Sequence, residues 1–162
     1  MFSTTATFIV VVLATALVFA IEAAVSKVSV ARLEELEVAE NQRYRSLIKI
    51  LEDKPRHVNA LQALGALGWA GSAVMSLKVF SGVSASLATD VVAIIAMTLI
   101  GFIVFGVGAK TLGKQHAEAL SRSSAGLVRR IAWLMSPLIR LMIVVGNAIT
   151  PGKGFKDGPF TS

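Results

Sequence analysis

Cysteine is absent from the 162 residues. That excludes a disulfide framework, a thiolate metal site and a cysteine nucleophile. Charge is scarce as well: only 16% of the residues are Asp, Glu, Lys or Arg, against about 25% in a soluble globular domain. The sequence also lacks a nucleophile–base constellation and a glycine-rich phosphate loop after a strand, so it does not read as an enzyme. Its two histidines, His57 and His116, stand far apart without partner spacing, which argues against a zinc site.

What is present is apolar sequence, 54% of the chain, with a mean hydropathy of +0.70. The length allows one domain of three or four helices. Residues 5–25 carry no charge before Glu22. At about 1.5 Å per helical residue they reach about 30 Å, the thickness of a bilayer's hydrocarbon core. Met1 to Phe8 contains no Lys or Arg and the apolar run is full length, unlike a cleaved signal peptide. A second span, 58–77, is dominated by Gly, Ala and Ser. Its Gly68, Ser72 and Ser76 form a small-residue ladder suited to close helix packing, inside the bundle or at a subunit interface. A third span covers 91–109, where Gly101, Gly106 and Gly108 mark close packing or a kink.

Charge is concentrated between the spans. Twelve of the sixteen Lys and Arg residues lie in 26–57 and 110–130, and none lies in the N-terminal tail or in 81–89. The positive-inside pattern then puts the N-terminus outside and both basic segments in the cytoplasm of a multi-pass plasma-membrane protein. Because the net charge of +6 is distributed at span ends, the implied partners are membrane lipids and not nucleic acid. Leu33, Leu36, Tyr44, Leu47 and Leu51 make one apolar stripe. It predicts an amphipathic helix over 31–51, bent near Glu40–Gln42, in the interfacial plane or as a solvated hairpin. Residues 131–149 are long enough to cross. Arg140 at their middle would cost about 2.5–3.5 kcal/mol, however, and Pro137 interrupts the hydrogen-bond ladder. A bent helix along the inner interface is predicted instead. Arg129 and Arg130 are expected against anionic headgroups, and 151–162 reads as a Gly/Pro-rich linker. The fold class is all-α integral membrane, with three transmembrane helices plus amphipathic juxtamembrane helices, in one domain over 1–150.

Glu22 is the only carboxylate in the first span. An intramembrane acid is by default a functional hypothesis; the alternative is an ion pair with Lys27 or Arg32. Ser26, Ser29, Asn59, Ser72, Ser76 and Thr98 supply the other oxygens in or near the spans. They are candidates for a polar path, or for interhelical hydrogen bonds.

Several runs resemble the CorC/CNNM family, also termed hemolysin-like. Glu22-Ala23-Ala24 through Ser29, Ala31-Arg32-Leu33-Glu34 and Leu36 is similar to that family's Glu-Ala-Ala…Ser-x-Ala-Arg-Leu-Glu-x-Leu. Leu51-Glu52-Asp53-Lys54-Pro55-Arg56 resembles its Leu-Glu-Asp-Pro-x-Arg. Lys110-Thr111-Leu112-Gly113 with His116-Ala117-Glu118 resembles its Pro-Lys-Thr-Leu-Ala-x-x-His-Ala-Glu. Pro137-Leu138, Gly146-Asn147-Ala148 and the tail from Thr150 to Phe155 fit its later segment, the tail looking most like the actinobacterial branch. The resemblance implies the membrane part of a homodimeric magnesium transporter, with sodium-coupled export, stopping short of a cytosolic pair of CBS domains. It implies no resident cofactor; magnesium and sodium would be transported or coupling ions.

It also implies an ion site of hydroxyls, an amide and a carboxylate, chemistry that suits magnesium. Glu22 and Ser29 match the pattern and are the implied metal ligands. The family's Ser-Gly-Ser, Gly-Asn-Thr and Gly-Glu-Ile-Val-Pro-Lys correspond here to Phe19-Ala20-Ile21, Gly65-Ala66-Leu67 and Phe105-Gly106-Val107-Gly108-Ala109-Lys110. Those substitutions motivate a second expectation, a member with a degenerate ion site acting as a membrane scaffold or regulator of a cell-envelope partner. A third is lipid or polyprenyl handling through an apolar cleft.

Overall fold

Nothing between Phe2 and Lys27 opposes a helix: the stretch holds no Gly or Pro. In hydrocarbon, moreover, every backbone N–H must be bonded within its own segment. The computed structural model, which describes residues 2–29 and 42–149, accordingly forms α1 over Phe2–Lys27. α2 (Gln42–Glu52) is a short amphipathic helix. Asp53 separates it from α3 (Lys54–Ser81). Pro55 falls in the first turn of α3, where its missing N–H would have had no partner anyway. α4 (Leu87–Ile100) starts at Ser86, whose hydroxyl accepts the Thr89 N–H at 3.3 Å, satisfying one of the orphan donors of the first turn.

After Ile100 the hydrogen bonding widens to a π-helix over Gly101–Ala109, then tightens again in α5 (Lys110–Gln115). Such segments are rare, short and concentrated at functional sites. His116 breaks the helix before α6 (Ala117–Ile149). Three helical stretches are long and apolar enough to cross a membrane: Ser3–Lys27, Lys54–Ser81 and the continuous Leu87–Gln115. The architecture is all-α, with no strand among the described residues.

One boundary differs from the sequence reading, and another falls only partly within the described residues. α2 covers only the second part of the stripe predicted over 31–51; the remainder, with Arg32 and Glu40, lies outside the described residues, as does the 151–162 linker. α6 begins at Ala117 and not near 131. Its polar first half hides an inward stripe of small residues: Ser121, Ser124, Ala125, Val128 and Ala132 are all buried, at helical spacing.

α1 and α3 pack antiparallel, and glycine sets how closely. A Cβ at Gly68 would meet the Thr15 hydroxyl, and one at Gly65 would come within 3.0 Å of the Phe19 ring. The small-residue ladder therefore faces inward. Ser72 is fully buried, and Ser76 reaches across to the Ala93 carbonyl of α4 at 3.5 Å. α5 approaches α1 even more closely, since a Cβ at Gly113 would run into the backbone carbonyl of Ala20. The densest core joins the charged-segment ends of these helices, where Ile21, Val25, Ile50, Leu61, Ala125 and Val128 meet. Toward the other end Leu13, Leu17, Ile94, Phe102 and Ile103 are exposed. In water that patch would be a liability, but against acyl chains it is the ordinary surface of a spanning helix.

Candidate functional site

The seam between α1 and α3 contains two layers, one helical turn apart. In the first, the Phe19 ring stacks on Phe105 of the π-helix, with centroids 5.6 Å apart and planes at 24°. Gly65 supplies the space for Phe19. Lys110 Nζ lies 5.7 Å from the Phe19 ring centroid, a cation–π contact at the end of the third span. Phe105 is only 2% exposed. Phe19, Gly65 and Phe105 head the three tripeptide or longer runs that correspond to the ion-site motifs of the resemblance. The fold brings those three positions together, and at this level they form an apolar layer.

The second layer is polar. Glu22 follows Phe19 by three residues and Gln62 precedes Gly65 by three, so both project from the same antiparallel faces about 4.5 Å further along. Glu22 is 7% exposed. Its Oε1 accepts from Ser26 Oγ at 3.2 Å and from Gln62 Nε2 at 3.3 Å. No basic side chain among the described residues is within ion-pair distance of it. Lys27, one partner considered for Glu22, instead donates to the Lys114 carbonyl at 3.0 Å. Gln62 Oε1 is buried with no hydrogen-bond partner among the described residues. An unpaired buried amide oxygen costs about 1–3 kcal/mol, so this oxygen has spare capacity to accept a hydrogen bond or to ligate a cation. Turning the amide over would direct Oε1 at the same point as the carboxylate and the hydroxyl, giving three hard oxygen donors from two helices. Such a set, with several retained waters, suits magnesium.

The mouth of the seam is cationic. Lys54 donates to the carbonyls of Ser26 and Val28 at 2.6 and 3.0 Å. It thus caps the C-terminal end of α1, where the helix dipole favours positive charge.

The other candidates do not join this cluster. Ser29 is exposed just past α1. Asn59 is buried on α3 but lines a separate cleft against α6. Ser72 donates to its own helix at the Gly68 carbonyl, 2.8 Å away. Thr98 likewise donates to the Ile94 carbonyl at 2.8 Å and borders a small apolar cavity with Trp69 and Met97. Ser76 bridges α3 and α4. Gln62 was not singled out in the sequence. The available signal was that it is the one polar side chain in 60–68, a run otherwise made of Ala, Leu and Gly. No cluster of three or more His, Asp or Glu side chains is present among the described residues.

The sequence matches the family model of the cyclin M transmembrane N-terminal domain (CNNM) over residues 6–162. It is 42% identical over 144 residues to the UPF0053 protein Rv2366c of Mycobacterium tuberculosis, an alignment covering 88% of this chain and 33% of the relative. The UPF0053 protein Mb2387c of Mycobacterium bovis gives the same figures. The chain thus spans about a third of the length of the curated relatives it matches.

Proposed function

The chain belongs to the cyclin M transmembrane family and is a multi-pass membrane protein, and from that premise we propose that it is the membrane domain of a divalent-cation transporter. Magnesium is the proposed cargo, exported as a homodimer against sodium entry, with the N-terminus outside. The observation that carries this reading is the buried Glu22 carboxylate, which among the described residues pairs only with neutral donors and lies beside a Gln62 oxygen that has no partner among them. A hydroxyl, an amide and a carboxylate are the donor types that the family resemblance implies. Here Glu22, which matches the motif, supplies the carboxylate, and Ser26 and Gln62, which lie off the substituted motif positions, supply the hydroxyl and the amide. Catalysis has no place in this reading.

The residues divide the work as follows. Glu22 provides the charge that draws a cation off its water. Ser26 and Gln62 replace part of the lost hydration, and their neutrality leaves the site net negative. The Phe19–Phe105 stack closes the seam on the side away from the charged segments, and Lys110 pins Phe19 there. Transport would require that stack to part. Reconstitution of the full chain in liposomes containing a magnesium-sensitive dye tests the reading. Sodium-dependent magnesium movement that Glu22→Gln abolishes is the expected result; flux equal in the variant would remove Glu22 from the path.

The Phe19–Phe105 seal also favours a second reading, a member that retains the fold and serves as a scaffold or regulator of a cell-envelope membrane partner. Absence of any magnesium flux from the wild-type chain, together with co-purification of a stable membrane partner, would select it over transport.

A further inference from the structure

A second site lies away from the seam, where the start of α3 meets α6 around Pro137. The cleft there has a volume of about 270 Å³ and is bordered by Asp53, Arg56, Asn59, Ser136 and Arg140. It continues into a more open groove past Trp133 and Leu134, which shares Arg56, Ser136 and Arg140. Arg56 is held by two contacts: its Nη2 donates to Ser136 Oγ at 3.0 Å, and its Nη1 is 3.7 Å from the Asp53 carboxylate. Arg140, by contrast, has no hydrogen-bond or ion-pair partner among the described residues. The cleft therefore holds one neutralised and one unneutralised guanidinium.

The surroundings say what would sit between them. Arg129, Trp133, Ser136 and Arg140 follow one another at steps of four, three and four residues, so they share one face of α6. On that face Trp133 is 75% exposed, and beside it Leu134 is 62% exposed. Leu141 and Val144 continue the exposed apolar surface beyond Arg140. A soluble anion would cover the arginines and leave the tryptophan and leucines wet. A phospholipid covers both, with its phosphodiester on the guanidinium fork and its acyl chains along the apolar residues. Arg140, costly at the centre of a bilayer, is at ease at headgroup depth.

We infer that this cleft binds the phosphodiester of an anionic phospholipid headgroup between Arg56 and Arg140, with Ser136 as a further donor. The site is independent of the Glu22 layer and does not require it to carry ions.

Native mass spectrometry of the full chain in a non-ionic detergent, supplied with phosphatidylglycerol or phosphatidylcholine, tests the assignment. The wild type is expected to retain phosphatidylglycerol in preference to phosphatidylcholine. Arg140→Gln should weaken retention about tenfold, the loss of one charge-assisted hydrogen bond. Lys78→Gln, a basic residue at the far end of α3, should leave it unchanged. Arg56→Gln also removes the contact to Ser136. Should that variant fold poorly, Arg140→Gln, which loses no internal partner, decides the question alone. Equal retention of both lipids, unchanged retention in Arg140→Gln, or displacement of the lipid by inorganic phosphate as readily as by phosphatidylglycerol would each overturn the proposal.

Discussion

The two layers of the α1–α3 seam are built on one pair of helices in one register, yet they have opposite chemistry. At the first, α3 contributes Gly65, and the space is taken by an aromatic ring stacked on a second ring from the π-helix. At the next turn α3 contributes Gln62, and the space is taken by a buried carboxylate and its neutral donors. Backbone geometry therefore does not decide whether a layer of the seam is apolar or polar. A glycine against a glutamine on α3, and a phenylalanine against a glutamate on α1, decide it.

The comparison is broken most severely from the aromatic side. Phe105→Ala removes a nearly fully buried ring and should destabilise the fold by about 3–5 kcal/mol, read as a large fall in melting temperature in detergent. If the seal is what blocks passage, ion leak through reconstituted protein rises in the surviving fraction. Next comes Gly113→Ala, whose added methyl meets the Ala20 carbonyl. Pushing α5 off α1 disturbs both layers together, and about 1–3 kcal/mol of destabilisation is expected. Glu22→Gln acts on the polar layer alone. It keeps the shape and an acceptor for Ser26, so stability should change by about 1 kcal/mol or less and the melting temperature should move little, while magnesium flux is lost. Tyr44→Phe lies outside both layers. It removes a hydroxyl that accepts from Arg122 at 2.9 Å and donates to Glu118 at 3.3 Å. A cost of about 0.5–1.5 kcal/mol with unchanged flux is expected.

The spans were legible because an apolar run of bilayer length has few other uses, and the small-residue ladder on α3 pointed inward for the same reason. Glu22 stood out because a lone acid in such a run is expensive. The start of α6 was hidden by serines, which look like surface in a sequence but pack closely when buried against other helices. Gln62 was lost among small residues whose packing signal dominated its span. The substitutions at 19, 65 and 105 could each be seen separately. That they meet in one layer depends on the antiparallel register of α1 and α3 and on the π-helical turn presenting Phe105. Neither follows from local sequence, since Gly101, Gly106 and Gly108 are as compatible with a kink as with a widened helix.

The measurement closest to the centre of this account is the melting temperature of the detergent-solubilised chain as magnesium is titrated, for the wild type and for Glu22→Gln. A ligand at free concentration L that binds only the folded state raises its stability by RT ln(1 + L/Kd), which keeps growing with the logarithm of the ligand concentration above Kd. The account predicts a magnesium-dependent rise in the wild type that is absent in Glu22→Gln. An equal rise in both proteins, or none in either, would contradict it.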